Sequence, residues 1–142
     1  MALSREEREQ FLVEPHIGAL SVDSGAPDRA PLVVPVWYQY TPGADLWIVT
    51  GADSRKDRLI VAAGRFSLLA ERTEPTVRYV SVEGPVTERA PCTREQFVEM
   101  AARYLPADTV DEYVNASAGD QGEQVVFRMR PQRWLSSDLG VF

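Results

Sequence analysis

The hydrophobic positions of this chain switch between a spacing of two and a spacing of three to four, and the switches divide it into strands and helices. Ser4 and Glu7 have capping-box spacing ahead of a thin apolar face (Phe11 and Leu12, with Leu3 before it). That predicts a short helix over residues 4–13, lying across the end of something larger. From Ile17 the texture turns to strand: Ile17–Asp23, then a run from Leu32 to Tyr40 rich in Val and aromatics, then Leu46–Thr50. Ser24-Gly25-Ala26-Pro27-Asp28 and Thr41-Pro42-Gly43-Ala44-Asp45 supply the turns between them. Ser54 as N-cap and Gly64 just past the end bracket a helix over Arg55–Ala63.

Phe66–Glu71 and Val77–Glu88 read as two further strands. In the second, Val80 and Val82 alternate with Tyr79, Ser81 and Glu83, so one face is buried and the other is not. Thr93 and Gln96 repeat the capping-box spacing, and Phe97, Met100, Ala101, Tyr104 and Leu105 then recur at helical period until Pro106. Asp108–Ala116 reads as a second short helix and Glu123–Arg130 as the last strand, with Pro131 beyond it and Trp134 near the tail. No repeat, low-complexity stretch or linker interrupts the pattern, so residues 1–142 are expected to form one domain. Six strands in mainly hairpin order predict a mainly β, α+β fold: a six-stranded antiparallel barrel with short flanking helices.

Composition narrows the function classes. Apolar residues make up 44% of the chain, enough for a core. The net charge of −6 argues against general nucleic-acid binding, which needs a basic surface. No apolar run approaches the ~20 residues that span a bilayer. The stretch Arg5-Glu6-Glu7-Arg8-Glu9 is too charged for a signal peptide, and Cys92 is the only cysteine, so a cytoplasmic home is expected. One cysteine and one histidine also leave no ordinary metal-ligand set.

Fourteen of the fifteen basic residues are arginine, and the single lysine is Lys56. It falls in Thr50-Gly-Ala-Asp-Ser54-Arg55-Lys56-Asp57-Arg58, the most informative segment of the chain. Three cations against one acid in a first helical turn oppose the helix dipole, at a cost of ~0.3–1 kcal/mol each. A bound anion would reverse that sign, because the Ser54 hydroxyl, first-turn N–H groups, Arg55 and Lys56 together make a phosphate cradle. The alternative is a solvated basic helix start. Pro35, within Val33-Val34-Pro35-Val36-Trp37-Tyr38, cannot donate a ladder hydrogen bond and marks an edge or a kink that frees neighbouring backbone groups for a flat ligand. An ordinary edge strand is the competing reading. His16, Cys92, Trp37 and Trp47 read as structural, and Trp134 as a subunit contact. No Ser-His-Asp set, P-loop, dinucleotide fingerprint or H-E-x-x-H is present.

Pro-Val-Trp-Tyr on one strand, Leu-Trp-Ile-Val-Thr on the next, Ser-Arg-Lys-Asp-Arg-Leu, and later Arg78-Tyr79-Val80-Ser81-Val82-Glu83-Gly84 form an ordered set. From about Ser4 to the end, that set resembles the pyridoxamine-5′-phosphate-oxidase-like family. The similarity is greatest to its short flavin and deazaflavin oxidoreductases, many of which use coenzyme F420. The resemblance implies a split β-barrel homodimer with cofactor sites at the subunit interface. It places Lys56 at the phosphate, with Ser54 and Arg55 beside it. Val34, Pro35 and Val36 would line the ring, and Val49 and Thr50 would lead into the phosphate loop. The implied activity is hydride transfer from reduced F420 to an unsaturated small molecule, with no protein proton donor assigned. An Arg-rich, Lys-poor composition, common in GC-rich genomes, tilts the cofactor from FMN toward F420. The alternatives are an FMN-dependent oxidase or reductase and a non-catalytic flavin- or haem-binding protein. The chain lacks the longer C-terminal substrate region of a true pyridoxamine-phosphate oxidase, so that activity is not expected. Arg55 and Arg58 are expected to extend the basic path for the anionic tail of F420.

Overall fold

A computed structural model describes residues 1–120 and 122–140. Ser4 caps α1 (Arg5–Val13) through both arms of the capping box: its hydroxyl accepts from the Glu7 N–H at 3.1 Å, and the Glu7 carboxylate accepts from the Ser4 N–H at 2.9 Å. β1 (Gly18–Val22) pairs with β2 (Leu32–Val36), and β3 (Tyr38–Gln39) pairs with β4 (Leu46–Gly51). α2 (Arg55–Ala63) closes on Gly64 at φ 72°, a left-handed position that glycine adopts without strain. β5 (Arg65–Arg72), β6 (Val77–Pro91), α3 (Arg94–Tyr104), α4 (Val110–Asp120), β7 (Gln124–Met129) and β8 (Arg133–Gly140) follow.

Every strand pairing is antiparallel, and the path runs β2-β1-β5-β6-β7-β4-β3, with β8 paired to β6. The two ends of that path, β2 and β3, are halves of the one segment Leu32–Tyr40, so the ribbon of strands curls back on itself as a split β-barrel. β6 serves both halves. Its first part pairs with β5 and β8, and beyond a register shift between Val86 and Glu88 its second part pairs with β7. Gly84 sits near that change: a Cβ there would lie 1.8 Å from the Arg130 carbonyl oxygen, so only glycine admits the crossing backbone.

The described residues form eight strands, not the six the sequence predicts. The run Leu32–Tyr40 breaks at Trp37, so one expected strand becomes two on opposite halves. The tail becomes β8, whose alternation is masked by Ser136, Ser137 and Asp138. It is held by the ladder to β6 and by the Arg78–Asp138 ion pair at 2.9 Å. Within the chain, Trp134 packs half-buried against the core, edge-on to Tyr40 and beneath the Arg8 guanidinium.

Inside the barrel Leu20, Leu46, Ile48, Leu68, Val80 and Phe127 are fully buried, joined by Phe11 and Leu12 of α1 and Ile60 of α2. Each such side chain contributes ~1.5–3 kcal/mol of burial. The outer face of β4 and β7 is covered differently: Trp47 and Val126 pack against Met100 of α3, and Ala101 packs against Val110 and Val114 of α4. The space between this helical cover and the start of α2 is where the candidate site lies. No helix among the described residues is long and apolar enough to cross a membrane.

Candidate cofactor-binding site

The start of α2 is built to hold charge. Ser54 Oγ accepts from the Asp57 N–H at 3.2 Å, the cap its position predicts. Asp57 is the single acid in that turn and is buried, at 2% exposure. Its carboxylate accepts from the Asp53 N–H at 2.8 Å and takes the Arg89 guanidinium as a fork, Nε–Oδ1 at 2.9 Å and Nη2–Oδ2 at 2.7 Å. The Arg89 hydrogen bonds hold this carboxyl below the usual carboxylate range. Asp53 adopts the left-handed conformation at φ 63°, and its carbonyl accepts from Arg58 Nη1.

These bonds decide which groups remain free for a ligand. Asp57 is neutralised by Arg89, and exposed Arg58 is folded back on the loop through one guanidinium nitrogen. Lys56 is different. It is half-buried, has no hydrogen bond or ion pair among the described residues, and its pKa is pushed down by burial. Arg55 beside it is exposed. The N–H groups of Arg55 and Lys56 are first-turn donors with no intrahelical acceptor. Thr50 Oγ1 lies 3.5 Å from Ser54 Oγ, which sets two hydroxyls at the same corner.

Lys56 opens into a cavity of about 190 Å³ that Pro35, Val36 and Val49 also line. Four of the eight sequence-predicted residues therefore meet in one place. Thr50 is buried at the corner beside Ser54, and Arg55 stands outside on the exposed side of the turn. Val34 does not line the cavity: it packs against the barrel core, on the same face of β2 as Val36 and opposite Pro35. Among the described residues no acidic side chain lines this cavity. An unpartnered, half-buried cation with donors around it fits a phosphate group.

The rest of the cavity was not legible from motifs. Trp37 forms part of one wall, stacked on Tyr104 at 4.9 Å, while Phe97, Met100 and Tyr113 close it from α3 and α4. The periodic stripe Phe97–Met100–Ala101 reads as core in the sequence, and Met100 is core; the stripe simply extends past what the sheet covers. Arg89 carried no sequence signal, because its partner Asp57 is 32 residues away.

The other chemically able residues lie apart. His16 stacks on Phe11 at 4.2 Å between centroids, and burial pushes its pKa down. It does not line the Lys56 cavity. Cys92 is half-buried with its thiol pKa raised by burial, the opposite of an activated nucleophile. Among the described residues no three His, Cys, Asp or Glu side chains are grouped to hold a metal.

This fold is the split β-barrel of the pyridoxamine-5′-phosphate-oxidase-like proteins. Among solved structures it is similar to an F420 reductase, at 24% identity over 89% of this chain and 94% of that one, with a TM-score of 0.68. It is also similar to a conserved hypothetical protein from Mycobacterium tuberculosis, at 25% identity over 97% and 86%, TM-score 0.73. A third is an FAD-binding protein from Mesorhizobium loti, at 19% identity over 99% and 98%, TM-score 0.68. No family model matches the chain. No curated protein matches it either.

Proposed function

We propose that this protein is an oxidoreductase that binds a phosphorylated flavin or deazaflavin at Lys56, with coenzyme F420 as its cofactor and an unsaturated small molecule as its substrate. The observation that carries the reading is Lys56, desolvated in the wall of a cavity and, among the described residues, without a partner or an acid beside it in that wall. A cation so placed is unfavourable in the empty protein and favourable once an anion arrives. Lys56, Arg55 and the first-turn N–H groups hold the phosphate, with the Thr50 and Ser54 hydroxyls as further donors. Pro35 interrupts the donor ladder of an edge strand and leaves room for a flat ring against Val36 and Val49. Phe97 and Met100 exclude water from that side. When bound, reduced F420 supplies a hydride that adds to one carbon of the substrate's double bond while a solvent proton adds to the other, a two-electron oxidation of the cofactor matched by a two-electron reduction of the substrate.

A second reading, an FMN-dependent oxidase or reductase, is favoured by Arg58. With that side chain engaged by the Asp53 carbonyl, the cations left at the turn suit a single phosphate better than a long anionic tail. Titration with F420 and with FMN, followed by fluorescence quenching, separates the two. Micromolar or tighter F420 binding with weaker FMN is expected, and the reverse order moves the assignment to FMN.

We also infer a homodimer. Cross-strand register places Pro35, Ala19, Leu69, Ser81 and Leu135 in one row across five strands on the outer face of the sheet. Leu135 is 66% exposed in that row, Val33 is 64% exposed next to it, and Ile17 lies at its margin. A continuous uncharged row across a whole sheet is suited to a second copy of itself. Pro35 belongs to both the row and the Lys56 cavity, so a partner there would wall the cofactor site. Light scattering at micromolar protein should return twice the 15.9 kDa chain mass; a monomer mass removes this inference.

A further inference from the structure

The chain crosses from one half of the barrel to the other at Trp37, and the crossover is fastened from outside the sheet. Val36 ends the β2 ladder and Tyr38 begins the β3 ladder, so Trp37 between them belongs to neither. Backbone groups at such a break need partners beyond the ladder. Tyr104, the last residue of α3, supplies one: its hydroxyl accepts from the Tyr38 N–H at 3.1 Å. The same hydroxyl has one proton to give, with the His16 carbonyl at 2.8 Å and the Tyr38 carbonyl at 3.1 Å as acceptors. One oxygen therefore ties the end of α3 to the start of β3 and to the approach to β1.

The ring of Tyr104 stacks on the indole of Trp37, with centroids 4.9 Å apart and planes 13° from parallel. Tyr113 also meets that indole, tilted by 41° at 5.6 Å, and stacks in turn on Phe97. Trp37, Tyr113 and Phe97 line the Lys56 cavity, while Tyr104 is outside its described wall. Tyr104 thus reaches the cavity through Trp37. Its own place is fixed by the residue before it. Arg103 donates to the Leu12, Val13 and Glu14 carbonyls at the end of α1 and to Gln39 Oε1 of β3 at 3.1 Å. The platform behind Trp37 is clamped to α1 and β3 in the empty protein, and a wall fixed in advance spares a ligand the cost of ordering it.

We propose that Tyr104 is a positioning residue for the cofactor ring: its hydroxyl pins the β2–β3 crossover, and its ring holds the Trp37 indole as one wall of the Lys56 cavity. The role toward a cofactor rests on the reading given above; the hold on Trp37 does not. Lys56 and Tyr104 then govern different parts of one ligand, the phosphate and the ring. Each has its own probe, since riboflavin carries the ring of FMN without its phosphate.

The test titrates FMN and riboflavin into the full chain, followed by flavin fluorescence. Tyr104→Leu should weaken both by the same factor, about twofold to tenfold, the cost of ordering one large side chain on binding. Lys56→Met should weaken FMN and leave riboflavin unchanged. Tyr104→Phe keeps the stacked ring and loses the tie through the hydroxyl, so its affinities should fall between those of the parent and Tyr104→Leu. In a Trp37→Leu background, Tyr104→Leu should change riboflavin affinity no further, because Tyr104 acts through the indole. A second readout needs no ligand. In protein labelled with fluorotryptophan, the fluorine resonance of Trp37, assigned by Trp37→Phe, should move or broaden in Tyr104→Leu while that of Trp134 stays. Parent-like affinity for both flavins in Tyr104→Leu, with only the melting temperature lowered, would overturn the positioning role. So would an unmoved Trp37 resonance, or a further loss in the Trp37→Leu background. Should Tyr104→Leu fail to fold, parent-like affinities and a parent-like resonance in Tyr104→Phe overturn it instead. A parent that binds neither FMN nor F420, with the Trp37 resonance still moved by Tyr104→Leu, would overturn the cofactor reading and the ring-binding role, and leave the hold on Trp37 standing.

Discussion

Replacing Lys56 separates a cofactor-binding lysine from a structural one because the two roles have opposite signs in the empty protein. Lys56 lacks any partner among the described residues, its ammonium is partly desolvated, and it sits in the first turn of α2, where the dipole disfavours a cation. Removing the charge should therefore leave the apo protein equally stable or stabilise it by up to ~1 kcal/mol. Lys56→Met is the cleaner variant, since it keeps an apolar stem of similar length in the cavity wall. The pH dependence follows from the direction of the pKa. The folded value lies below the ordinary 10.5, so the unfolded chain binds more protons in the window just below 10.5, and apo stability rises with pH through that window. Lys56→Met should flatten this rise. Cofactor affinity moves the other way: losing a charge-assisted hydrogen bond worth ~1.5–3 kcal/mol weakens phosphate binding about 10- to 150-fold. Binding should also depend less steeply on salt in the variant, and Lys56→Arg should keep part of the affinity. Calorimetric titration with FMN and F420 beside thermal melts of the apo protein reads all of this. Equal affinity in parent and Lys56→Met, with the apo variant destabilised, would refute the phosphate assignment.

Other consequences follow from residues away from the cofactor. Arg103 donates to the carbonyls of Leu12, Val13 and Glu14 at the end of α1, so Arg103→Met should cost about 2–4 kcal/mol in urea denaturation, through lost charged hydrogen bonds and lost dipole compensation. Gly84→Ala should destabilise by ~3 kcal/mol or more, because its methyl would overlap the Arg130 carbonyl; wild-type denaturation midpoints would refute that close approach. Burial lowers the His16 pKa despite Glu14 nearby, so the unfolded chain binds the proton first. Melting temperature should therefore fall as pH drops below ~6.5, and His16→Gln should lose less over the same range.

What the sequence disclosed follows the range of the interactions involved. Capping boxes at Ser4 and Thr93, and the Ser54-to-Gly64 bracket of α2, are settled within a few residues, and the helices form where those signals place them. The alternation of Val80 and Val82 marks the buried face of β6 because the period alone fixes it. β8 is different: its pattern is diluted by serines, and it becomes a strand because β6 offers an edge and Arg78 offers Asp138 a partner, sixty residues apart. The break at Trp37 is equally non-local. Nothing in Leu32–Tyr40 says where one strand should become two; the curl of the barrel does.

The candidate site divides along the same line. Lys56, Ser54 and Pro35 announce themselves locally, through a charge that opposes a dipole, a cap and a missing donor. The geometry that turns Lys56 into a ligand contact is set elsewhere. Arg89, contributed by β6, neutralises Asp57 and leaves Lys56 as the one uncompensated charge among the described residues of its cavity wall. Without Arg89, Asp57 would be the nearest acid available to pair with the cations of that turn, and an incoming phosphate would meet a carboxylate where it now meets a balanced pair. An arginine more than thirty residues away thus sets the sign of the potential at the phosphate position. A motif covering Thr50–Arg58 contains the cation that binds the anion and the acid that would repel it, but not the group that silences the acid.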